Sequence, residues 1–160
     1  MDLSRQSYGC LNLITNFRFV VLARKDDISA LPKYHTIAIF HLGGIAVECR
    51  LKSLLFLYHK ISDWGQKSSR IKDAMHNQPI ANPSHGLSTA FKRMPDFYKR
   101  AKSDRLFLEH LQNIIYPLGS IDIDYISLRY IPQTSQSQED WQKSFDYVCG
   151  WLEKNKRTLL

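Results

Sequence analysis

The segment between Tyr34 and Lys60 constrains this chain more than any other. Ile37, Phe40, Gly44, Val47, Leu51, Leu54 and Tyr58 recur at alternating three- and four-residue steps. That is the seam of a helix packed against other helices. The opposite flank is also largely apolar, with Leu42, Cys49 and Phe56, and a helix apolar on more than one side belongs at the centre of a fold. The spacing therefore predicts one continuous rod enclosed by its neighbours. Gly43 and Gly44 sit inside it, and each costs about 1 kcal/mol against alanine in a helix. Gly44 falls on the seam, where a missing side chain lets a neighbouring helix come close.

Four polar residues, His41, Glu48, Lys52 and His59, run in a line beside this seam. Glu48 and Lys52 are four apart in the favourable order, glutamate first. One reading is a boundary row, an ion pair with its aliphatic stems packed inward. The other is that Glu48 is buried and anchored by a cation from another helix, since an unpaired buried carboxylate is too costly. Arg129 is the preferred partner on that reading.

Helical patterns cover most of the remaining chain. Cys10, Ile14, Phe17 and Val21 recur at 4-3-4 spacing before "RKDD" and Pro32, although "FRFVVL" also fits a strand. Ser62 to Pro83 reads as a long connection with a short helix at "SSRIKDAMHN". Ser84 is the expected N-cap of a helix whose face is Leu87, Phe91 and Met94, kinked or ended by Pro95. Ser103 or Asp104 caps the next, with Phe107, Leu111 and Ile114 inward. "IDIDYI" alternates with period two, but a lone strand has no partner, and an extended loop is expected. The last helix follows Ser135 and Gln138, which fit a capping box. Its seam is Trp141, Phe145, Val148 and Leu152, and the basic tail 154–160 is expected to fray. The fold class that follows is all-α: one domain over 1–160, with its core over about 8–155, built as an antiparallel up-and-down bundle of four to five helices.

Three pieces of this chain, in order, resemble the HEPN family of small helical bundles. "AIFHLGGIAVECRLKSLL" looks like the family's second helix, with its small-residue pair and E-x-x-L-K pattern at Gly43, Gly44, Glu48, Leu51 and Lys52. "SHGLSTAF" is similar to its H-x-L-x-x-L/F helix start, through His85, Leu87 and Phe91. "SLRYIP" is similar to its L-R-Y element, through Leu128, Arg129 and Tyr130. The likeness runs from about Tyr34 to Asn155. It implies an up-and-down bundle that forms homodimers, and binding roles for Glu48, Lys52, His85, Arg129 and Tyr130. Some members are metal-independent ribonucleases of toxin–antitoxin or defence systems. They use an arginine and a histidine four to six residues apart. Others bind RNA, nucleotide or a protein partner, often a nucleotidyltransferase or an antitoxin.

The arginine–histidine spacing occurs at Arg105–His110 and Arg70–His76, and roughly one such match arises by chance in a chain of this composition. The family's catalytic pair lies near the start of the last helix. There this chain has "RYIPQTSQ", with Arg129 but no following histidine. In a helix, Arg105 and His110 also project about 140° apart. A binding module without catalysis is therefore the preferred expectation, with Arg105 and His110 the candidates for the ribonuclease alternative. Net charge is +7, which favours an anionic partner. The densest basic stretch is Lys92, Arg93, Lys99, Arg100, Lys102 and Arg105, interleaved with Phe97 and Tyr98. Phosphate-neutralising cations beside aromatics able to stack on bases are a footprint of nucleic-acid contact.

No metal or cofactor is implied. Asp122 and Asp124 are two carboxylates without a third oxygen ligand, and Cys10, Cys49 and Cys149 are widely spaced without a CxxC pair. Reduced, buried thiols and the lack of a secretory start or a membrane-length apolar run point to the cytoplasm.

Overall fold

The structure is a computed structural model that describes residues 13–160. Among the described residues it is all helical: α1 (Leu13–Ala30), α2 (Thr36–His59), α3 (Leu87–Lys92), α4 (Pro95–Lys102), α5 (Arg105–Ile115), a 3-10 turn (Ser127–Tyr130) and α6 (Gln138–Leu159). The expected position Cys10 lies outside the described residues. Where a strand was an option for "FRFVVL", the chain is helical.

The long helix α2 is unbroken through Gly43 and forms the axis of the fold. It packs against α1, α3, α5, α6 and the 3-10 turn. Phe40, Val47, Leu51, Leu54 and Tyr58 on its seam are fully buried, and so is Phe56 on the other flank. Burial on both sides is what the doubly apolar pattern demands. Its end is a Schellman arrangement: Lys60 takes a left-handed conformation (φ 55°), and the Ile61 amide reaches back to the Phe56 carbonyl at 3.1 Å.

The glycine pair works on two fronts. A Cβ on Gly43 would fall 2.2 Å from the Trp141 ring of α6, and a Cβ on Gly44 would fall 2.2 Å from the Tyr125 ring. The expected close helix approach is thus at Gly43. Gly44, on the seam, instead admits a tyrosine from the loop before the 3-10 turn. Trp141 continues into a ring stack with Phe145 and also meets Phe40. A second aromatic cluster joins Phe91, Phe97, Phe107 and Trp151, with Phe107 and Trp151 stacked at 3.9 Å.

Several local expectations are corrected. There is one helix more than the periodicity predicts: α3 ends at Lys92, ahead of Pro95 as expected, and Pro95 then begins α4. It occupies the first turn of α4, where its missing N–H costs nothing, with Asp96 beside it and Lys99, Arg100 and Lys102 at the far end. The N-cap of α3 is Gly86 rather than Ser84, which has a positive φ of 54°. Asp104 caps α5, accepting from the Phe107 amide at 2.9 Å. The cap of α6 is Ser137, not Ser135, and it accepts from the Asp140 amide. The basic tail continues the last helix: α6 runs to Leu159 and Asn155 is buried.

"SSRIKDAMHN" is no helix. Residues 61–83 form turns with isolated bridges at Lys67–Pro79 and Ser68–His76, and Lys72 and Asn77 take positive φ. "IDIDYI" is a loop, as expected. No helix among the described residues is long and apolar enough to cross a membrane.

The two glycine contacts make a graded expectation. Gly44→Ala should destabilise the fold by roughly 1–3 kcal/mol through overpacking, because the nearest Tyr125 atoms include the immobile Cβ. Gly43→Ala should cost less, since only the outer edge of the Trp141 ring must give. Urea unfolding with an unchanged m-value would measure both. A Gly44→Ala protein more stable than the parent would show that the ring does not sit there.

Candidate functional site

The polar line on α2 faces inward. Glu48 and Lys52 are both buried, and the Lys52 ammonium lies 2.6 Å from Glu48 Oε1. The other carboxylate oxygen, Oε2, accepts from the Tyr125 hydroxyl at 2.6 Å and from His85 Nδ1 at 3.0 Å. The Tyr125 hydroxyl also lies 2.9 Å from the His85 carbonyl, so one phenolic hydrogen serves two acceptors. His41 Nδ1 meets the Tyr125 carbonyl at 2.7 Å. Three chain segments therefore converge on one carboxylate: α2 itself, the stretch before α3 and the loop before the 3-10 turn.

Their protonation follows from the partners. A carboxylate only accepts, so His85 carries its hydrogen on Nδ1 toward Glu48. Its ring is otherwise largely exposed, which leaves Nε2 toward solvent. Burial pushes the Glu48 carboxyl upward, but hydrogen bonds from Lys52, Tyr125 and His85 outweigh it and hold the group below its ordinary value. Burial, then the adjacent Glu48 charge, raises the Tyr125 hydroxyl, so it stays a donor. The same two causes push the Cys49 thiol up to about 11, leaving it inert at neutral pH.

His59, at the end of the line, is wholly buried. Its Nε2 meets the Arg93 carbonyl and its Nδ1 meets Ser68 Oγ, both at 2.7 Å. A carbonyl cannot donate, so Nε2 holds the hydrogen and Nδ1 accepts from Ser68. Burial lowers this imidazole's pKa against the pull of the Arg93 carbonyl, and the neutral form is favoured.

The preferred partner of Glu48, Arg129, is not there. Arg129 and Tyr130 are exposed at the end of the 3-10 turn, with the guanidinium 5.0 Å from the neighbouring ring. The anchoring groups are Lys52, from the same helix, and Tyr125 with His85. Tyr125 was invisible to periodicity because it sits in a loop. The one available signal was the need of a buried carboxylate for more than one donor.

The expected basic patch divides in two. Phe97 is fully buried between Tyr58 and Trp151 and offers no face to a base. Arg93 bonds the Ala81 carbonyl. Lys92, Lys99 and Lys102 are exposed, and Lys102 lies over Tyr98. Arg100 and Arg105 open instead onto a broad groove between the α4–α5 junction and α6, about 730 Å³ in volume, shared with Tyr147, Trp151 and Lys154. Lys154, Tyr147 and Gly150 had no signal of their own in the sequence. Only their position on one face of α6 brings them in.

Members of both arginine–histidine pairs are engaged elsewhere. Arg105 is almost fully exposed and paired with Glu109, while His110 bonds Ser144 Oγ at 2.9 Å and lies against Tyr147. Arg70 stacks on Tyr58 at 3.9 Å and pairs with Asp96 at 3.0 Å, and His76 is exposed on the other side of a turn. Asp124 is occupied by the amide and hydroxyl of Ser127. No cluster of three metal-ligating side chains exists among the described residues.

Two measurements follow. Stability should rise with pH across two windows. An imidazole whose folded pKa is lowered binds fewer protons than the unfolded chain, so stability falls as pH drops below the His59 reference of 6.5. The lowered Glu48 carboxyl gives a second loss, beginning below its reference of 4.5 and completed below its folded value. Glu48→Gln should remove the lower window and leave the upper, as followed by unfolding at stepped pH. Tyr125→Phe should cost roughly 1.5–3 kcal/mol, the range for a hydrogen bond to a charged group. Arg129→Ala should change stability by under about 0.5 kcal/mol and add independently to Glu48→Gln.

Compared with known proteins, the chain matches no family model, no curated protein and no solved structure.

Proposed function

We propose that this protein is a HEPN-like helical module that binds RNA and has no catalysis of its own. The observation that carries the reading is the groove where Arg100, Arg105 and Lys154 meet Tyr147 and Trp151. Three cations against two carboxylates, Asp104 and Asp146, with the half-buried Tyr147 ring in the wall, suit a single-stranded phosphate backbone and its bases. The exposed Lys99 and Lys102 on α4 extend the positive field beyond the groove, and the net charge of +7 adds long-range attraction. The engagement of Arg70 by Tyr58 and Asp96, and of His110 Nδ1 by Ser144, favours binding over cleavage.

The test is fluorescence anisotropy with a labelled mixed-sequence single-stranded RNA. If about three phosphates are neutralised, affinity should fall roughly ten- to twentyfold between 50 and 200 mM salt. The double variant Arg105→Gln, Lys154→Gln should bind weakly with a shallower salt slope and unchanged melting, because both side chains are exposed. The same RNA should remain intact without metal. A flat salt response removes the reading. Cleavage abolished by His110→Ala would replace it with a metal-independent ribonuclease.

A further inference from the structure

Among the described residues three glycines lie inside α-helices, and two are explained by rings that occupy the place of their Cβ. Gly150 is different. It lies in the interior of α6, where glycine is the least favourable residue after proline, and nothing approaches the position of its missing Cβ within 4 Å. No packing inside the protein requires it. It also forms part of the wall of the basic groove, on the same face of α6 as Tyr147, Trp151 and Lys154.

We infer that Gly150 is the floor of a stacking site for one unpaired base of single-stranded RNA. This rests on the RNA-binding reading and goes further, assigning the place of a base. The bare helix backbone at Gly150 gives a flat surface. Tyr147 stands one turn before it, its ring held against His110 at 4.5 Å. Trp151 lies beside it, its indole N–H fixed on Asp104 at 3.0 Å. Trp151 is buried against Phe107, so Tyr147 is the ring that can meet a base, and it is set before a ligand arrives, which lowers the ordering cost of binding. Arg105 and Lys154 flank the surface and face the phosphates on either side. The two carboxylates of the groove are compatible. Asp104 is engaged by Trp151 and by the cap of α5. Asp146, held by Gln142 at 3.0 Å, offers an acceptor to N–H groups on a base edge. Any side chain at position 150 would stand where the base lies.

Two variants of the full chain separate this site from ordinary tolerance of glycine. Gly150→Ala should raise the melting temperature by about 2–4 °C, the effect of removing a helix-interior glycine from open space, and yet weaken RNA binding. Gly150→Leu should weaken it by roughly fivefold or more, the lower end for loss of one stacked base. An RNA of abasic nucleotides should bind the parent and Gly150→Leu equally, because only the phosphates remain. If Gly150→Leu binds normal RNA as well as the parent does, while Arg105→Gln, Lys154→Gln binds weakly, the stacking site is wrong and the RNA-binding reading stands. If the parent binds no RNA, both fall together.

Discussion

The fold is organised around one buried carboxylate. Glu48 sits on the central helix where solvent cannot compensate its charge, and an ionised group in such a place persists only with partners. Its donors come from separate parts of the chain: Lys52 one turn on, His85 just before α3, and Tyr125 in the loop ahead of the 3-10 turn. His85 and Tyr125 each fix a segment that has little regular structure of its own. The polar cluster is thus a device of specificity, joining the α3 entry and the 3-10 loop to α2 at one depth and one orientation. Gly44 belongs to the same device, since the Tyr125 ring reaches the carboxylate only by lying across bare helix backbone.

A second tie holds the other end of the bundle. Asp104 caps α5 with one carboxylate oxygen and receives the Trp151 indole with the other. A local helix signal and a contact to α6 are therefore the same side chain. Trp151 in turn closes the aromatic cluster of Phe91, Phe97 and Phe107. One part of the groove wall, Trp151, is consequently a core side chain seen from outside.

The sequence was most legible where periodicity and burial coincide. The seams of α2, α5 and α6 were readable residue by residue, because a helix buried by its neighbours must repeat its apolar positions. Polar placement was legible only in part. The line of His41, Glu48, Lys52 and His59 could be seen on a helical wheel, but the partner of Glu48 could not. Long-range hydrogen bonds carry no period, and a tyrosine in an aspartate-rich loop looks like surface. Pro95 was legible as the end of α3 but not as the start of α4, since proline also fits the first turn of a helix. The short helix expected at 68–77 does not form, and Ser68 and Asp73 are instead bonded to His59 and Tyr58. The division of the Lys92–Arg105 stretch depended on which way each side chain of a short helix turns.

The connection between α2 and α3 has a consequence for how the chain holds together. It lacks regular structure, yet Ser68 is locked on His59, Asp73 receives the Tyr58 hydroxyl, and Ile80 is wholly enclosed. Arg70 then covers the Tyr58 ring and reaches Asp96 on α4. A segment fastened at that many points is a clasp rather than a tether. Were the backbone cut at one exposed turn within it, the two fragments would stay clipped together, and the helical body would survive as a nicked but assembled whole.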